Sequence, residues 1–417
     1  MAKRAISISL FLLIGLSIFL FGCSREVVQS DQPIQDNGIN AVVEANNKFA
    51  FDLYSKYRTE DGNIFLSPYS ISTALAMTYE GAKGKTAREM QAVLYLPENA
   101  ELRRSVISQM YEDINRDDKK YKLSTANALW AQESFKFRKD YFDVVQNYYG
   151  GSATNLDFVR NAEASRLVIN EWVEKRTNDK IKDLIPSGAL TADTKLVLTN
   201  AIYFKGEWVK QFNKNDTKEQ DFRVAPDKNV KVPMMQRTDD ESKFNYAETS
   251  DFQILELPYS GEDLSMLVIL PKKEDLGDLE KSFTLRQVLK WKESLTEQRV
   301  NVYIPKFKFE TKYFMEKILP EMGMPTAFSD SADFTGMEDD PGENLKIDKV
   351  IHQAFVEVNE EGTEAAAATA VIMVGITSVG SEPRIPTFRA DHPFIFIIQQ
   401  KDTGNILFLG RVSDPTK

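Results

Sequence analysis

The chain has 417 residues, of which 42% are apolar, so it is long enough to bury a large core. Its 52 basic and 62 acidic residues give a net charge of −10, which argues against a nucleic-acid partner, because such a partner requires a basic surface. The single cysteine, Cys23, excludes an internal disulfide, and the two histidines, His352 and His392, restrict metal and hydrolase chemistry.

The N-terminus has the pattern of an export signal. Two basic residues near the start precede an uncharged apolar run, residues 5–21, which is followed by Gly22 and Cys23. This ending resembles the lipobox of exported lipoproteins, in which cleavage precedes the cysteine and its thiol is diacylated. We therefore predict a signal peptide over residues 1–22 and a membrane anchor through lipid on Cys23. An ordinary signal peptide and a short transmembrane anchor are the alternatives.

A polar segment separates this signal from a globular region. Residues 23–39 contain few apolar positions, and we predict that they form the lipidated Cys23 and a polar tether. From residue 40 to residue 417 the chain has no internal repeat and no linker rich in Gly, Ser or Pro, so residues 40–417 are predicted to form one domain.

The first predicted elements are helices. Apolar residues recur at spacings of three and four on one face of the first helix: Val42, Ala45, Phe49, Leu53 and Tyr57. A second helix is predicted to begin with Ser67 as its cap and Pro68 in its first turn, and to end at Gly81. Arg103 and Arg104 are interpreted as the solvated face of a further helix, so no basic patch indicates an activating polyanion.

Strands are predicted mainly in the second half. Residues 195–204 are a nearly unbroken apolar run, which is typical of a strand buried on both faces of a large sheet. Shorter strands are predicted at Ile254–Leu257, Leu264–Leu270 and Val302–Phe309. Residues 394–400 and 406–412 flank a turn and are predicted to form a hairpin. Together with the helices of the first half, this pattern indicates the α+β class.

The sequence lacks the motifs that the common classes of enzyme would need. The segment 81–86 resembles a phosphate-binding loop, but position 79, where the first glycine belongs, is Tyr. No Gly-x-Ser-x-Gly elbow accompanies His352 or His392, and no His-Glu-x-x-His motif is present. We therefore predict that the chain is not an enzyme and uses no cofactor or metal, with a hydrolase that uses His392 as the alternative.

The segment 360–381 has an unusual composition. From Ala365 to Ser381 it carries no charge and no proline, and it passes from alanines into Val, Ile and Thr. With a period of two, one face contains only small or uncharged residues: Thr363, Ala365, Ala367, Thr369 and Val371. Such a run would promote aggregation if it stayed exposed. We infer that it is destined to pair within the protein's own sheet; a permanent central strand is the alternative.

Seven motifs, in this order along the chain, resemble those of the serpin family. They lie at residues 63–71, 199–208, 255–259, 305–309, 359–369, 391–394 and 404–411. The resemblance covers residues 40–412. It implies a serpin fold of the α+β class, with three β-sheets, about nine helices and an exposed reactive-centre loop.

The resemblance implies a serine protease inhibitor that acts as a suicide substrate. A target protease would attack the loop and form an acyl-enzyme. The cleaved loop would then enter the main sheet as a new strand and carry the protease with it. The expected partner is thus a serine protease in a covalent complex, and the protein is expected to be monomeric and exported, either lipid-anchored on the extracellular face of a membrane or secreted. A non-inhibitory serpin that acts as a binding or chaperone-like module is the alternative.

The resemblance also assigns roles to individual residues. The hinge of the loop comprises Glu360, Glu361, Gly362, Thr363, Ala365, Ala367 and Thr369. A structural cluster below the point where the sheet opens comprises Ser67, Ser70, Asn200 and His352. The upper end of the sheet contains Trp208 and Lys306, with Lys306 paired to Glu360.

The reactive bond is predicted by its distance from the hinge. Fourteen residues after Gly362, the count reaches the bond between Ile376 and Thr377, although a longer following segment allows a shift towards 379–380. The residue before the bond is aliphatic in either case, which favours the apolar pocket of an elastase-like or subtilisin-like protease.

Overall fold

The computed structural model describes residues 32–116, 118–339, 345–363 and 385–417. These residues contain nine α-helices and three β-sheets, so the predicted α+β class with three sheets is confirmed. The reactive-centre loop predicted within residues 364–384, Cys23 and the signal segment lie outside the described residues.

The helices are concentrated in the first half of the chain. They are α1 (Gln32–Tyr57), α2 (Pro68–Tyr79), α3 (Gly84–Leu94), α4 (Ala100–Ile114), α5 (Lys139–Tyr149), α6 (Phe158–Arg176), α7 (Gly277–Ser282), α8 (Leu285–Glu293) and α9 (Ile318–Met322). Ser67 caps α2 by accepting a hydrogen bond from the backbone N–H of Ser70, as its position before Pro68 predicts. Among the described helices, none combines the length and apolar character needed to span a bilayer.

The strands form sheets of six, seven and four members. The main sheet has the order β12 (Phe307–Phe314), β13 (Lys349–Val358), β14 (Gly362–Thr363), β4 (Leu196–Glu207), β2 (Tyr121–Gln132) and β3 (Ser152–Leu156). The seven-stranded sheet has the order β1 (Ile64–Leu66), β17 (Ile406–Val412), β16 (Phe394–Gln400), β9 (Leu264–Pro271), β8 (Phe252–Pro258), β7 (Lys243–Glu248) and β10 (Thr296–Arg299). The four-stranded sheet has the order β15 (Thr387–Arg389), β11 (Asn301–Pro305), β6 (Lys228–Arg237) and β5 (Lys218–Ala225).

The main sheet is buried on both faces, as the apolar run at 195–204 predicts. Alternate residues of β4, among them Ile202 and Phe204, join the large core shared with the seven-stranded sheet. The residues between them, such as Ala201 and Tyr203, join a second core that α6 covers. Successive residues of a strand inserted beside β4 would therefore face the two cores alternately.

Part of the segment predicted to be a polar tether is helical. The helix α1 begins at Gln32, so residues 32–39 belong to it. Pro33 is compatible with this start because the N–H groups of the first helical turn have no partner within the helix, so the N–H that proline lacks is not needed there. Gly38 packs closely on α4: a Cβ atom at this position would lie 2.7 Å from Leu102. This close packing explains why a glycine stands there.

The single strand predicted at Val302–Phe309 is two strands in different sheets. The strand β11 pairs with β6, whereas β12 pairs with β13. Lys306 lies between them, where the chain passes from the four-stranded sheet to the main sheet. The break therefore places Lys306 at the upper end of the main sheet.

The interpretation of Arg103 and Arg104 as a solvated face is wrong. The Arg103 side chain is only 3% exposed, and its Nη2 lies 2.8 Å from Oε1 of Glu80. Arg104 binds the other carboxylate oxygen, and Tyr149 donates to Oε1 at 2.6 Å. Burial opposes ionisation of Glu80, but its hydrogen bonds with the two arginines and Tyr149 outweigh this effect and lower the pKa of the carboxyl. One buried carboxylate thus joins α2, α4 and α5.

The substitution Glu80→Gln is expected to lower the free energy of unfolding by about 3 kcal/mol, because it leaves the buried Arg103 without a counter-charge. Urea denaturation monitored by circular dichroism measures the change. The control is Glu171→Gln, which removes an exposed pair with Lys175 and should cost less than about 0.5 kcal/mol. Equal losses in the two variants would contradict this account of the cluster.

Candidate functional site

The central feature of the main sheet is the boundary between β4 and β13, which we call the seam. These strands pair directly and in parallel, from Lys349 opposite Val197 to Phe355 opposite Tyr203. Above that level β14 lies between them, with Thr363 opposite both Gly206 and Val358. The direct pairing excludes a permanent central strand between β4 and β13 along residues 349–355.

A tight turn carries the chain from β13 into β14. The Asn359 side chain accepts hydrogen bonds from the backbone N–H groups of Glu361 and Gly362. At Gly362 a Cβ atom would lie 2.0 Å from the carbonyl oxygen of Gly206, so only glycine fits. Trp208 holds the turn from outside: its indole Nε1 donates to Asn359 O at 3.1 Å, and its backbone N–H donates to Glu361 O at 2.8 Å.

Two ion pairs fasten the acidic residues of this turn. Oε2 of Glu360 lies 2.8 Å from Nζ of Lys306, the pair that the sequence predicted. The other carboxylate oxygen of Glu360 accepts from the Thr217 hydroxyl at 2.8 Å. Burial opposes ionisation of Glu360, but the hydrogen bonds from Lys306, from a backbone N–H and from Thr217, together with the charge of Lys306, outweigh burial and lower the pKa of the carboxyl. Glu361 pairs with Lys214 at 2.5 Å.

An aromatic pair lies beneath β14. The rings of Trp208 and Tyr259 stack with their centroids 4.5 Å apart. The Tyr259 hydroxyl is 2.7 Å from Oγ1 of Thr363, and both side chains are buried. This contact directs the Thr363 side chain towards the large core. Sequence reasoning missed Tyr259 as a site residue, although it closes the motif at 255–259.

The predicted cluster of Ser67, Ser70, Asn200 and His352 comes together across the seam. His352 and Asn200 are direct partners on β13 and β4, and Nδ1 of His352 hydrogen-bonds Oδ1 of Asn200. Asn200 in turn donates to Ser70 and to Asn127. The Ser67 hydroxyl donates to Leu407 O at 2.7 Å in the sheet below. The sequence did not single out Asn127, which lies on β2 opposite Asn200.

His352 is held in its neutral form. The backbone N–H of Ser67 donates to Nε2 at 3.1 Å, so the remaining ring proton is on Nδ1 and is donated to Asn200. Complete burial lowers the pKa of His352 from 6.5 to about 3. Because both ring nitrogens are engaged, this histidine joins two strands and is not available as a general base.

His392 is also engaged at both nitrogens. Nε2 lies 2.7 Å from Pro271 O, and Nδ1 lies 2.8 Å from Oδ1 of Asp391. This arrangement gives no support to a hydrolase that uses His392 as its base. The remaining predicted site residues, Ala365, Ala367, Thr369, Ile376, Thr377 and Cys23, lie outside the described residues.

The stability of the protein is expected to fall as the pH decreases from about 6.5 towards 3. Below pH 6.5 the unfolded chain binds a proton at His352, whereas the folded chain binds it only near pH 3. Each pH unit in this window should remove up to about 1.4 kcal/mol of unfolding free energy through this residue. Urea denaturation between pH 7 and pH 4 measures the slope. The variant His352→Gln should be less stable at pH 7 and show a shallower slope; identical slopes would contradict the assignment.

Comparisons with known proteins agree with this architecture. A model of the family Serpin (serine protease inhibitor) matches residues 44–415. An uncharacterised serpin-like protein of Methanosarcina acetivorans is 44% identical, covering 97% of each chain. The leukocyte elastase inhibitor of Sus scrofa is 40% identical, covering 89% of this chain and 98% of its own. Uncleaved ovalbumin superposes with a TM-score of 0.81 at 31% identity, covering 90% of this chain and 100% of its own. The chain belongs to the serpin family.

Proposed function

We propose that the protein inhibits serine proteases as a suicide substrate and traps the acyl-enzyme when the cleaved loop enters the seam. The observation that carries this proposal is that β4 and β13 pair directly, while the first two residues of the inserting segment already lie between their upper ends. A strand added below Thr363 would replace the single pairing of β4 with β13 by two pairings, one with each of these strands. The chain is an inhibitor in this proposal and not a catalyst.

The pairing of β14 predicts where later loop residues would lie after insertion. Thr363 faces Gly206 on one side and Val358 on the other, and each further residue moves one position down both strands. The sixth step brings Thr369 opposite both Asn200 and His352, which are already partners of each other. A threonine hydroxyl would thus enter the polar cluster at the point where its central hydrogen bond has to open.

The same register supports the choice of small residues on one face. Residues of the parity of Thr363 would face the large core, beside Phe204 and Ile202 of β4. In the segment these are Ala365, Ala367, Thr369 and Val371, which are small or uncharged. Their insertion would not bury a charge, the step that costs most in such a core.

Insertion would release energy stored in the intact fold. A backbone hydrogen bond contributes a net of about 0.5–1.5 kcal/mol, so a strand of about ten residues bonded on both edges could stabilise the cleaved form by on the order of 10 kcal/mol. The intact form would then persist for kinetic reasons. In this proposal, the energy released by insertion distorts the trapped protease.

The target class is inferred from the residue before the predicted reactive bond. Ile376 is aliphatic, which suits a shallow apolar pocket such as those of elastase-like and subtilisin-like proteases. A relative named leukocyte elastase inhibitor, 40% identical, agrees with this inference. The proposal also includes export, with the monomer anchored outside the cell by lipid on Cys23 or, if that cysteine is not modified, secreted.

Incubation with pancreatic elastase is expected to produce a covalent complex that survives denaturing electrophoresis, with loss of elastase activity in proportion to the complex formed. Mass spectrometry of the released peptide should locate the cut at Ile376–Thr377. Elastase whose catalytic serine is replaced by alanine is the control and should give no complex. A cleaved chain beside fully active elastase would refute inhibition and favour the non-inhibitory binding module.

The substitution Ala367→Arg is expected to convert the inhibitor into a substrate. In the register set by β14, position 367 would lie opposite Ile202 of β4 after insertion, on the face of the large core, where an unpaired charge costs several kcal/mol, so at least a tenfold loss of complex is predicted. The matched control is Ala367→Val, which keeps the position apolar and uncharged and should retain inhibition. Equal inhibition by the arginine variant would show that the loop does not enter the seam in this register.

A further inference from the structure

The connection that follows α6 crosses the seam on the face of the main sheet that α6 covers. We call residues 177–185 the strap. Its three apolar side chains are fully buried: Ile181, Leu184 and Ile185. They belong to the same core as Ala201 of β4 and Ile351 of β13, which lie on opposite sides of the seam. The strap therefore covers the seam and packs on both of its strands.

Polar contacts attach the strap to the two strands that flank this pair. On the β4 side, the Asn178 side chain donates to Oγ of Ser124 on β2 and accepts from Nζ of Lys122, each at 3.2 Å. On the β13 side, Nζ of Lys312 on β12 donates to the backbone oxygen of Asp183 at 2.6 Å. Because β2 and β12 are the outer neighbours of β4 and β13, the strap spans four strands.

The backbone of the strap is strained at both attachment points. Asn178 has a φ of +51° and Asp183 has a φ of +48°. This left-handed region is unfavourable for residues with a Cβ atom, although Asn and Asp tolerate it better than most. Such a conformation persists where surrounding contacts hold it. At Asp183 the hydrogen bond from Lys312 supplies such a contact.

The described contacts attach the strap more firmly to α6 than to β12. The N–H of Ile185 donates to Oδ1 of Asn170 at 2.8 Å. Its carbonyl oxygen accepts from Nδ2 of Asn170 and from Nη1 of Arg166, each at 2.9 Å. The helix itself begins against β2, where the N–H of Phe158 donates to Oε1 of Gln132 at 2.9 Å. The strap and α6 thus form one unit with β2, and Lys312 joins this unit to the other side of the seam.

Insertion of a strand would move the two attachment points apart. Neighbouring strands lie about 4.8 Å apart, so a new strand between β4 and β13 would increase the distance from β2 to β12 by about this amount. The increase exceeds the length of the hydrogen bond from Lys312. A strap of unchanged shape therefore cannot stay bonded on both sides. Because its attachment to α6 is the firmer one, the bond from Lys312 is the one expected to break.

We propose that Lys312 is a positioning residue for loop insertion: its hydrogen bond to Asp183 holds the strap across the closed seam and has to break before the cleaved loop can enter. The proposal rests on the proposed function, since it concerns the same insertion. In the uncut chain this bond keeps the seam covered. During inhibition its loss lets β12 and β13 move away from β4 while the strap stays with α6.

Hydrogen exchange of the uncut chain tests whether Lys312 holds the seam closed. The substitution Lys312→Met removes the donor but keeps an apolar stem, so the backbone amides of the strap and of residues 350–355 should exchange about three- to tenfold faster. The variant Lys312→Arg keeps a donor and should restore protection. The control is Lys182→Met, which removes a strap lysine that pairs with Glu174 of α6 and should leave β13 unchanged. Unchanged exchange in Lys312→Met would overturn the proposal.

A cross-link tests whether the strap has to leave β12. The thiols introduced by Asp183→Cys and Lys312→Cys, in a chain that also carries Cys23→Ser, are joined with a short bismaleimide. Elastase should still cut this chain, but about tenfold less complex should form than without the reagent, because the link raises the barrier to insertion. Each variant with one introduced cysteine, treated with the same reagent, is the control and should form complex normally.

The outcomes separate this proposal from the proposed function. Normal complex formation by the cross-linked chain would overturn the role of Lys312 and leave inhibition intact. Failure of the wild type to form any complex would instead refute the proposed function, whatever the exchange rates of the uncut chain are.

Discussion

The direct pairing of β4 with β13 is the constraint on which the rest of the account depends. The two strands are held by backbone hydrogen bonds and, at one level, by the bond between His352 and Asn200. That bond lies in a buried polar cluster that also reaches β2 through Asn127 and the seven-stranded sheet through Ser67. The seam is therefore closed by interactions that are satisfied in the intact fold and that an added strand would have to replace.

The upper end of the seam is organised differently from its middle. There the turn at 359–362 is held by Trp208, Lys306 and Lys214, and Thr363 is held by Tyr259. These contacts fix the position of Thr363, the last described residue before the proposed reactive loop. In the function that we propose, this fixed point and the closed, polar middle of the seam would let the sheet accept the cleaved loop in one register.

Local patterns in the sequence were sufficient for β4, β8, β9, β16 and β17, for the helix cap at Ser67 and for the fold class, because hydrophobic period and capping chemistry are local. The break at Lys306 could not be predicted, since an uninterrupted strand pattern does not record that its two halves join different sheets. The burial of Arg103 was missed for a similar reason: its partner Glu80 lies on another helix. Asn127 and Tyr259 were missed because their roles depend on contacts with residues more than 70 positions away.

The central claim is that the seam can accept the cleaved loop as a strand. It is tested most directly by a crystal structure of the chain after a single cut within residues 364–384, in which the distance between the Cα atoms of Asn200 and His352 is measured. Neighbouring strands lie about 4.8 Å apart, and the intact protein has these residues as direct partners. If the seam accepts the loop, the distance should become about twice the strand spacing, roughly 9.6 Å, with Thr369 between the two residues. An unchanged distance in the cut chain would contradict the account.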